Sequence, residues 1–200
     1  MTDDRAQLDA LLDATTLAHV AYVDDEGRPC VVPTGIARWG ERIVMHGSTG
    51  SRWMRLVGDG RLVAVSVAEL TAVVVGHSAY QTGVRGCSAV LYGRLADVAD
   101  AEKPAALDVL LDRYLPGRSS EVRPPTAKEL AATRVLALPI DQWSCRVLDG
   151  EPKPPQDDTD AAAWSGTVTV AARTAAVEPS GTNQAEVPPS VVRLAADFTA

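Results

Sequence analysis

Cysteine is scarce in this chain: Cys30, Cys87 and Cys145 are widely spaced and form no C-x-x-C pair. That pattern excludes a disulfide framework and a cysteine-based structural zinc site, so the thiols are expected to be reduced. A basic surplus is also missing. With 19 Lys and Arg against 26 Asp and Glu, the net charge is −7, which argues against general nucleic-acid binding. No apolar run reaches the roughly 18 to 20 residues that a membrane span needs, and residues 1–5 are polar and acidic where a signal peptide would be basic and then apolar. A cytoplasmic chain without membrane contact is the expectation. Large rings are few, with one Phe, four Trp and four Tyr, so a single subunit has little with which to roof a ligand groove. The chain has no G-x-S-x-G elbow, no H-E-x-x-H among its three histidines, no Walker A loop and no G-x-G-x-x-G. These gaps remove Ser-His-Asp hydrolysis and metal hydrolysis, and no metal site is expected.

What is present is mostly strand-like. Residues 3–13 place Ala6, Leu8, Leu11 and Leu12 near one helical face, which predicts a short N-terminal helix covering a barrel end. The period then changes. Residues 17–23, 30–37, 43–46, 62–70, 72–78 and 89–98 are short runs rich in Val, Ala and Tyr, several separated by turn residues such as Asp25-Glu26-Gly27 and Gly58-Asp59-Gly60. About six strands at hairpin spacing predict a mainly β fold, an antiparallel barrel with peripheral helices. Residues 51–57 read as one helix, 105–114 as a second opened by Pro104, and Thr126 with Glu129 as the capping box of a third. Residues 135–148, broken by Pro139, read as a final strand pair. Residues 1–150 are therefore expected to form the domain. Residues 151–200 are expected to form a Pro- and Asp-rich linker and an arm, with one β-like patch at 164–171 and a partly disordered end.

One segment suggests chemistry: His46-Gly47-Ser48-Thr49-Gly50-Ser51-Arg52. A strand that ends in small residues and turns into a helix exposes backbone N–H groups, and Arg52 adds a bidentate cation beside the Ser48 and Ser51 hydroxyls. Such a turn suits a phosphate.

With those residues in view, the chain resembles the pyridoxamine 5′-phosphate oxidase-like flavoproteins, in the branch that includes nitroimidazole-resistance proteins. The likeness is carried by Val31-Val32-Pro33-Thr34, by His46-Gly47-Ser48 with Gly50-Ser51-Arg52, and by Ser88-Ala89-Val90-Leu91-Tyr92-Gly93-Arg94. It continues through Pro139-Ile140-Asp141-Gln142-Trp143-Ser144 and Trp164-Ser165-Gly166. The resemblance implies a six-stranded split β-barrel that binds FMN, with Pro33 and Thr34 against the ring. It places Ser48, Gly50, Ser51 and Arg52 at the phosphate, with His46 facing the cofactor. Relatives carry His-His-Ser-x-Asn-Tyr-Arg-Ser where this chain has Gln81-Thr82-Gly83-Val84-Arg85-Gly86-Cys87-Ser88, keeping only the last Ser. The substrate pocket, expected at Tyr80, Gln81, Thr82, Arg85 and Cys87, is then repurposed for another small molecule.

Family members pair isologously, which implies a homodimer whose subunits close each other's sites. An FMN-dependent oxidoreductase is the leading expectation, and a deazaflavin cofactor is an alternative. Related barrels bind haem through a His, for which His46, then His77, then His19 are the candidates. A non-catalytic ligand-binding or dimerisation module is the third reading, because the His-His and Tyr-Arg groups are gone.

Overall fold

A computed structural model describes residues 1–76, 78–150, 165–170 and 186–197. Helix α1 (Arg5–Ala14) starts at Asp4, whose carboxylate accepts from the Ala6 N–H at 2.9 Å, and buries Leu8, Leu11 and Leu12 on one face. Strand β1 (Leu17–Val23) alternates strictly, with Ala18, Val20 and Tyr22 inward. It pairs antiparallel along its whole length with β2 (Pro29–Gly35). Next come β3 (Ala37–Trp39), β4 (Arg42–Ser48), α2 (Arg52–Val57) and the long β5 (Leu62–Val75). A one-turn 3-10 helix, Ala79–Gln81, leads into β6 (Gly83–Arg94) and β7 (Ala96–Asp97). Helix α3 (Lys103–Tyr114) carries Pro104 in its first turn, where a missing N–H costs nothing. A second 3-10 turn, Arg118–Ser120, precedes α4 (Ala127–Ala132), whose Thr126–Glu129 capping box is formed in both directions. Strands β8 (Thr133–Pro139) and β9 (Gln142–Leu148) follow, then β10 (Gly166–Thr169) and α5 (Pro189–Asp197).

The strands form two sheets, one ordered β2-β1-β5-β6-β9 with β10 paired to β5, the other ordered β3-β4-β8-β7. Three buried corners carry the chain from one sheet to the other: Ile36 between β2 and β3, Leu95 between β6 and β7, and Ile140 between β8 and β9. Between the sheets lies the main core, where Val20, Val65, Leu91, Met45, Leu136 and Leu138 meet the leucines of α1. The second sheet is buried on both faces. Its outward residues Ala37, Val44, Val135 and Ala137 pack against Ala106 and Leu110 of α3. Among the described residues the first sheet has no such cover, and Leu17, Val23, Val31, Leu62 and Tyr92 stand exposed on its outer face.

The mainly β class is as expected, but the strand count is not. Instead of about six strands in one barrel, ten strands among the described residues form two facing sheets split along their edges. Residues 62–70 and 72–78 were expected as two strands; residues 62–75 instead form the single β5, with a register shift between Leu70 and Ala72. The extra residue at the bulge reverses which alternate side chains are buried, from Val63, Val65 and Val67 before it to Ala72 and Val74 after it. Gly86 sits opposite this bulge, where a Cβ would lie 2.1 Å from the Glu69 carbonyl oxygen. The expected linker at 151–160 lies outside the described residues, as does Trp164 of the expected β patch. The described part of that patch is β10, and the expected disordered end contains α5.

Candidate functional site

The turn between β4 and α2 has the small-residue geometry its sequence suggests. The Ser51 N–H donates to the Ser48 carbonyl at 3.0 Å, and the Ser48 hydroxyl accepts from the Gly50 N–H at 3.1 Å. Gly47 is required by close packing, since a Cβ there would meet the Met54 side chain at 2.8 Å. Ser51 is the N-cap of α2 but makes no side-chain cap bond, and α2 has six residues. So short a helix contributes a small dipole, and the positive field here comes from arginines. Arg55 donates to the Gly50 carbonyl at 2.7 Å and stiffens the loop. Arg52 is exposed and, among the described residues, makes neither an ion pair nor a hydrogen bond. Its charge nevertheless reaches the Tyr22 hydroxyl, which burial pushes above the ordinary phenol range and Arg52 pulls back.

Pro33 and Thr34 lie on β2, an edge strand, with register partners His19 and Ala18. Pro29 and Pro33 are four residues apart and share a parity, so both missing N–H groups fall on positions facing away from β1. Pro33 is exposed on the outer face, while Thr34 points inward and is half-buried.

His46, two residues before Ser48 on β4, lines a cavity of about 560 Å³ that the sequence did not reveal. Leu107 and Leu111 of α3 form one wall, Ser119 to Pro125 another, and Glu129 and Thr133 close the end nearest the turn. One edge of the imidazole is open to solvent, but crowding around it lowers its pKa below 6.5 through desolvation. At the rim, Arg123 is held by both Glu129 oxygens, at 2.8 and 2.7 Å. That guanidinium and the Thr126 N–H hold the Glu129 carboxyl well below the usual range.

A second arginine fixes the turn from behind. Arg134 forms a bidentate pair with Asp97 at 2.6 and 2.7 Å and donates to the Met54 and Gly58 carbonyls at 2.9 and 3.0 Å, capping the C-terminus of α2. Neither the cavity nor Arg134 was anticipated. The Thr126–Glu129 capping box was the one legible sign that this stretch is ordered.

The expected substrate residues are not brought to this cavity. Tyr80, 97% exposed, caps the tip of the β5–β6 hairpin, and Thr82 ties that tip by donating to the Ser78 carbonyl and accepting from the Gly76 N–H. Gln81 packs beneath Gly76, and Arg85 donates to the Gly150 carbonyl. Cys87 turns inward to lie 3.7 Å from the buried Cys145 sulfur, and burial pushes its thiol up to about 11. His19 lies on the outer face of the first sheet in a shallow concavity with Ser66, Glu69 and Ser88. His77 lies outside the described residues. Among the described residues no three His, Cys, Asp or Glu side chains cluster as a metal site, and no helix is long and apolar enough to cross a membrane.

The sequence profile described as pyridoxamine 5′-phosphate oxidase matches residues 4–147. Among solved structures, an FAD and heme binding protein from Mycobacterium smegmatis is 42% identical, with a TM-score of 0.89 over 96% of this chain and 95% of that one. The flavocytochrome Anf3 from Azotobacter vinelandii is 31% identical, with a TM-score of 0.88 over 96% of this chain and 90% of that one. A protein named for 5-nitroimidazole antibiotic resistance, from Bacteroides thetaiotaomicron VPI-5482, shares the fold at 19% identity and a TM-score of 0.61, over 72% of this chain and 84% of that one. No functionally curated protein matches.

Proposed function

The chain belongs to the pyridoxamine 5′-phosphate oxidase family, and from that premise we propose that it is a flavin-nucleotide-dependent oxidoreductase acting on a small molecule as a homodimer. The observation that carries the reading is Arg52, an exposed guanidinium without a protein partner among the described residues, at a turn built of Gly and Ser. A cation left open beside small residues fits a phosphate, which a bidentate guanidinium grips with charge-assisted hydrogen bonds. The Ser48 and Ser51 hydroxyls stand within the same turn. Pro33 supports the ring position, because an edge strand there presents a flat apolar ring and an unpaired carbonyl. Once bound, the flavin supplies hydride or electron transfer. The chain's own residues then anchor the phosphate, orient the ring and exclude water.

A second reading adds haem to the flavin, and its support is the naming of the two relatives that share 42% and 31% identity. His46, then His77, then His19 are the imidazoles that such a haem could use, and His77 lies outside the described residues. Freshly purified protein should show flavin bands at roughly 370 and 450 nm, and a Soret band at roughly 400 nm only if haem is present. Arg52→Ala should weaken flavin binding by about 1.5 to 3 kcal/mol in a fluorescence titration. Protein that neither carries nor takes up flavin sinks the proposal. Bound flavin that no reductant can bleach would leave a binding module in its place.

A further inference from the structure

We propose that the outer face of the first sheet carries the substrate site, a trough running from Pro33 and His19 across to Arg146 on β9, and that the substrate is a small organic acid. The inference rests on the reading that the β4–α2 turn holds a flavin's phosphate and that its ring lies at Pro33.

Strand register lays the trough out. Arg52 acts on the Tyr22 hydroxyl, whereas Pro33 is the register partner of His19, three residues back along β1. Three residues of strand span about 10 Å, which a five-carbon ribityl chain can cover. His19 is in turn the partner of Ser66, so both side chains share the outer face. Two adjoining concavities continue from there, of about 440 and 180 Å³. The first holds His19, Ser66 and Ser88, and the second holds Ser88, Ser144 and Arg146. Ser88 and Arg146 are register partners on β6 and β9, which joins the two into one trough.

The polar groups select the ligand. The hydroxyls of Ser66, Ser88 and Ser144 and the exposed guanidinium of Arg146 have no hydrogen-bond or ion-pair partner among the described residues. An open guanidinium flanked by two hydroxyls suits a carboxylate, which its planar fork grips through two parallel bonds. Glu69, exposed and lining the first concavity, adds a negative charge that disfavours a second acid group on the ligand. The strand order β1-β5-β6-β9 sets His19 and Arg146 three strand spacings apart. That is about 14 Å between backbones, and side chains reaching in from both ends leave room for a small ring or a short chain. The uncharged end of such an acid then lies beside the His19 imidazole and Pro33.

Full-length protein, flavin-loaded and flavin-free, titrated calorimetrically with benzoate, hexanoate and benzamide tests the assignment. At least one of the two acids should bind saturably and at least about tenfold more tightly than benzamide, equivalent to about 1.4 kcal/mol. The bound acid should slow modification of His19 by diethyl pyrocarbonate, read from its peptide, and leave His46 unaffected. Arg146→Gln should erase the preference for the acid without changing flavin affinity, and Ser88→Trp, filling the junction of the two concavities, should abolish acid binding. Failure of both acids to bind, or unchanged acid binding in Arg146→Gln, overturns the trough and leaves the flavin reading standing. A Soret band lost in both His19→Leu and Arg146→Gln overturns it in favour of haem. Acid bound by protein that never takes up flavin keeps the acid site and overturns the reading beneath it.

Discussion

His46 carries an imidazole whose charge this fold opposes. Desolvation lowers its pKa from 6.5, so above about that pH the ring is neutral in both folded and unfolded chains and costs nothing. Below it the unfolded chain takes up a proton that the folded chain resists, and stability falls. Denaturant midpoints measured at about pH 7.5 and about pH 5.5 should therefore drop further for the wild type than for His46→Gln. Parallel drops would mean that the ring titrates freely. Cys87 shows the same physics on a thiol: burial beside Cys145 keeps it protonated at neutral pH, which suits a packing residue rather than a nucleophile. The sequence placed Cys87 beside an altered motif, open both to a ligand-facing thiol and to a small packed cysteine, and strand parity turns it inward as the second reading has it.

Among the elements, α2 depends most on distant residues. Its six residues are too few to be stable alone, and its C-terminal carbonyls are satisfied by Arg134, which lies 76 positions beyond Gly58. Gly58 makes room for that guanidinium, since a Cβ there would lie 2.6 Å from the Arg134 Cζ. Arg134→Met should cost about 2 kcal/mol in chemical denaturation, and Gly58→Ala should approach that value by displacing the same group. The double variant should cost little more than either single one; additive losses would show that the two do not act through one contact. Asp97→Asn should cost under about 1 kcal/mol, because its carboxylate is 57% exposed. Strand β1 and helices α1 to α4 were legible because alternation, caps and an early Pro mark them locally. The start of β6 was hidden by Gly83 and Gly86, and β5 by a bulge that breaks its alternation. Helix α5 was hidden because Pro188-Pro189 reads as a breaker, although Pro189 takes the first helical position, where proline is favoured.

For the whole molecule, the two sheets are treated unequally: α3 covers the second, while the first leaves Leu17, Val23, Val31, Leu62 and Tyr92 on an open outer face. Exposed apolar side chains grouped on one face mark an interaction surface, and isologous pairing of two copies is the simplest way to cover it. Light scattering at micromolar concentration should report close to twice 21.1 kDa, and Val31→Arg, at a site 62% exposed, should yield monomers without loss of fold. A monomeric wild type with flavin bound would refute the pairing. The β4–α2 turn was legible as seven consecutive residues, but the cavity beside it was not, because its walls come from residues 107–133 and are delivered by the β4–β8 pairing. That pairing also sets an order of synthesis. Ser48 waits for Thr133, 85 positions later, so a nascent chain holds its β4–α2 turn long before the neighbouring wall leaves the ribosome. A ligand that touched both the turn and the cavity wall would be gripped at both ends only after residue 133 had folded back, which would make its capture a late event of folding rather than its seed.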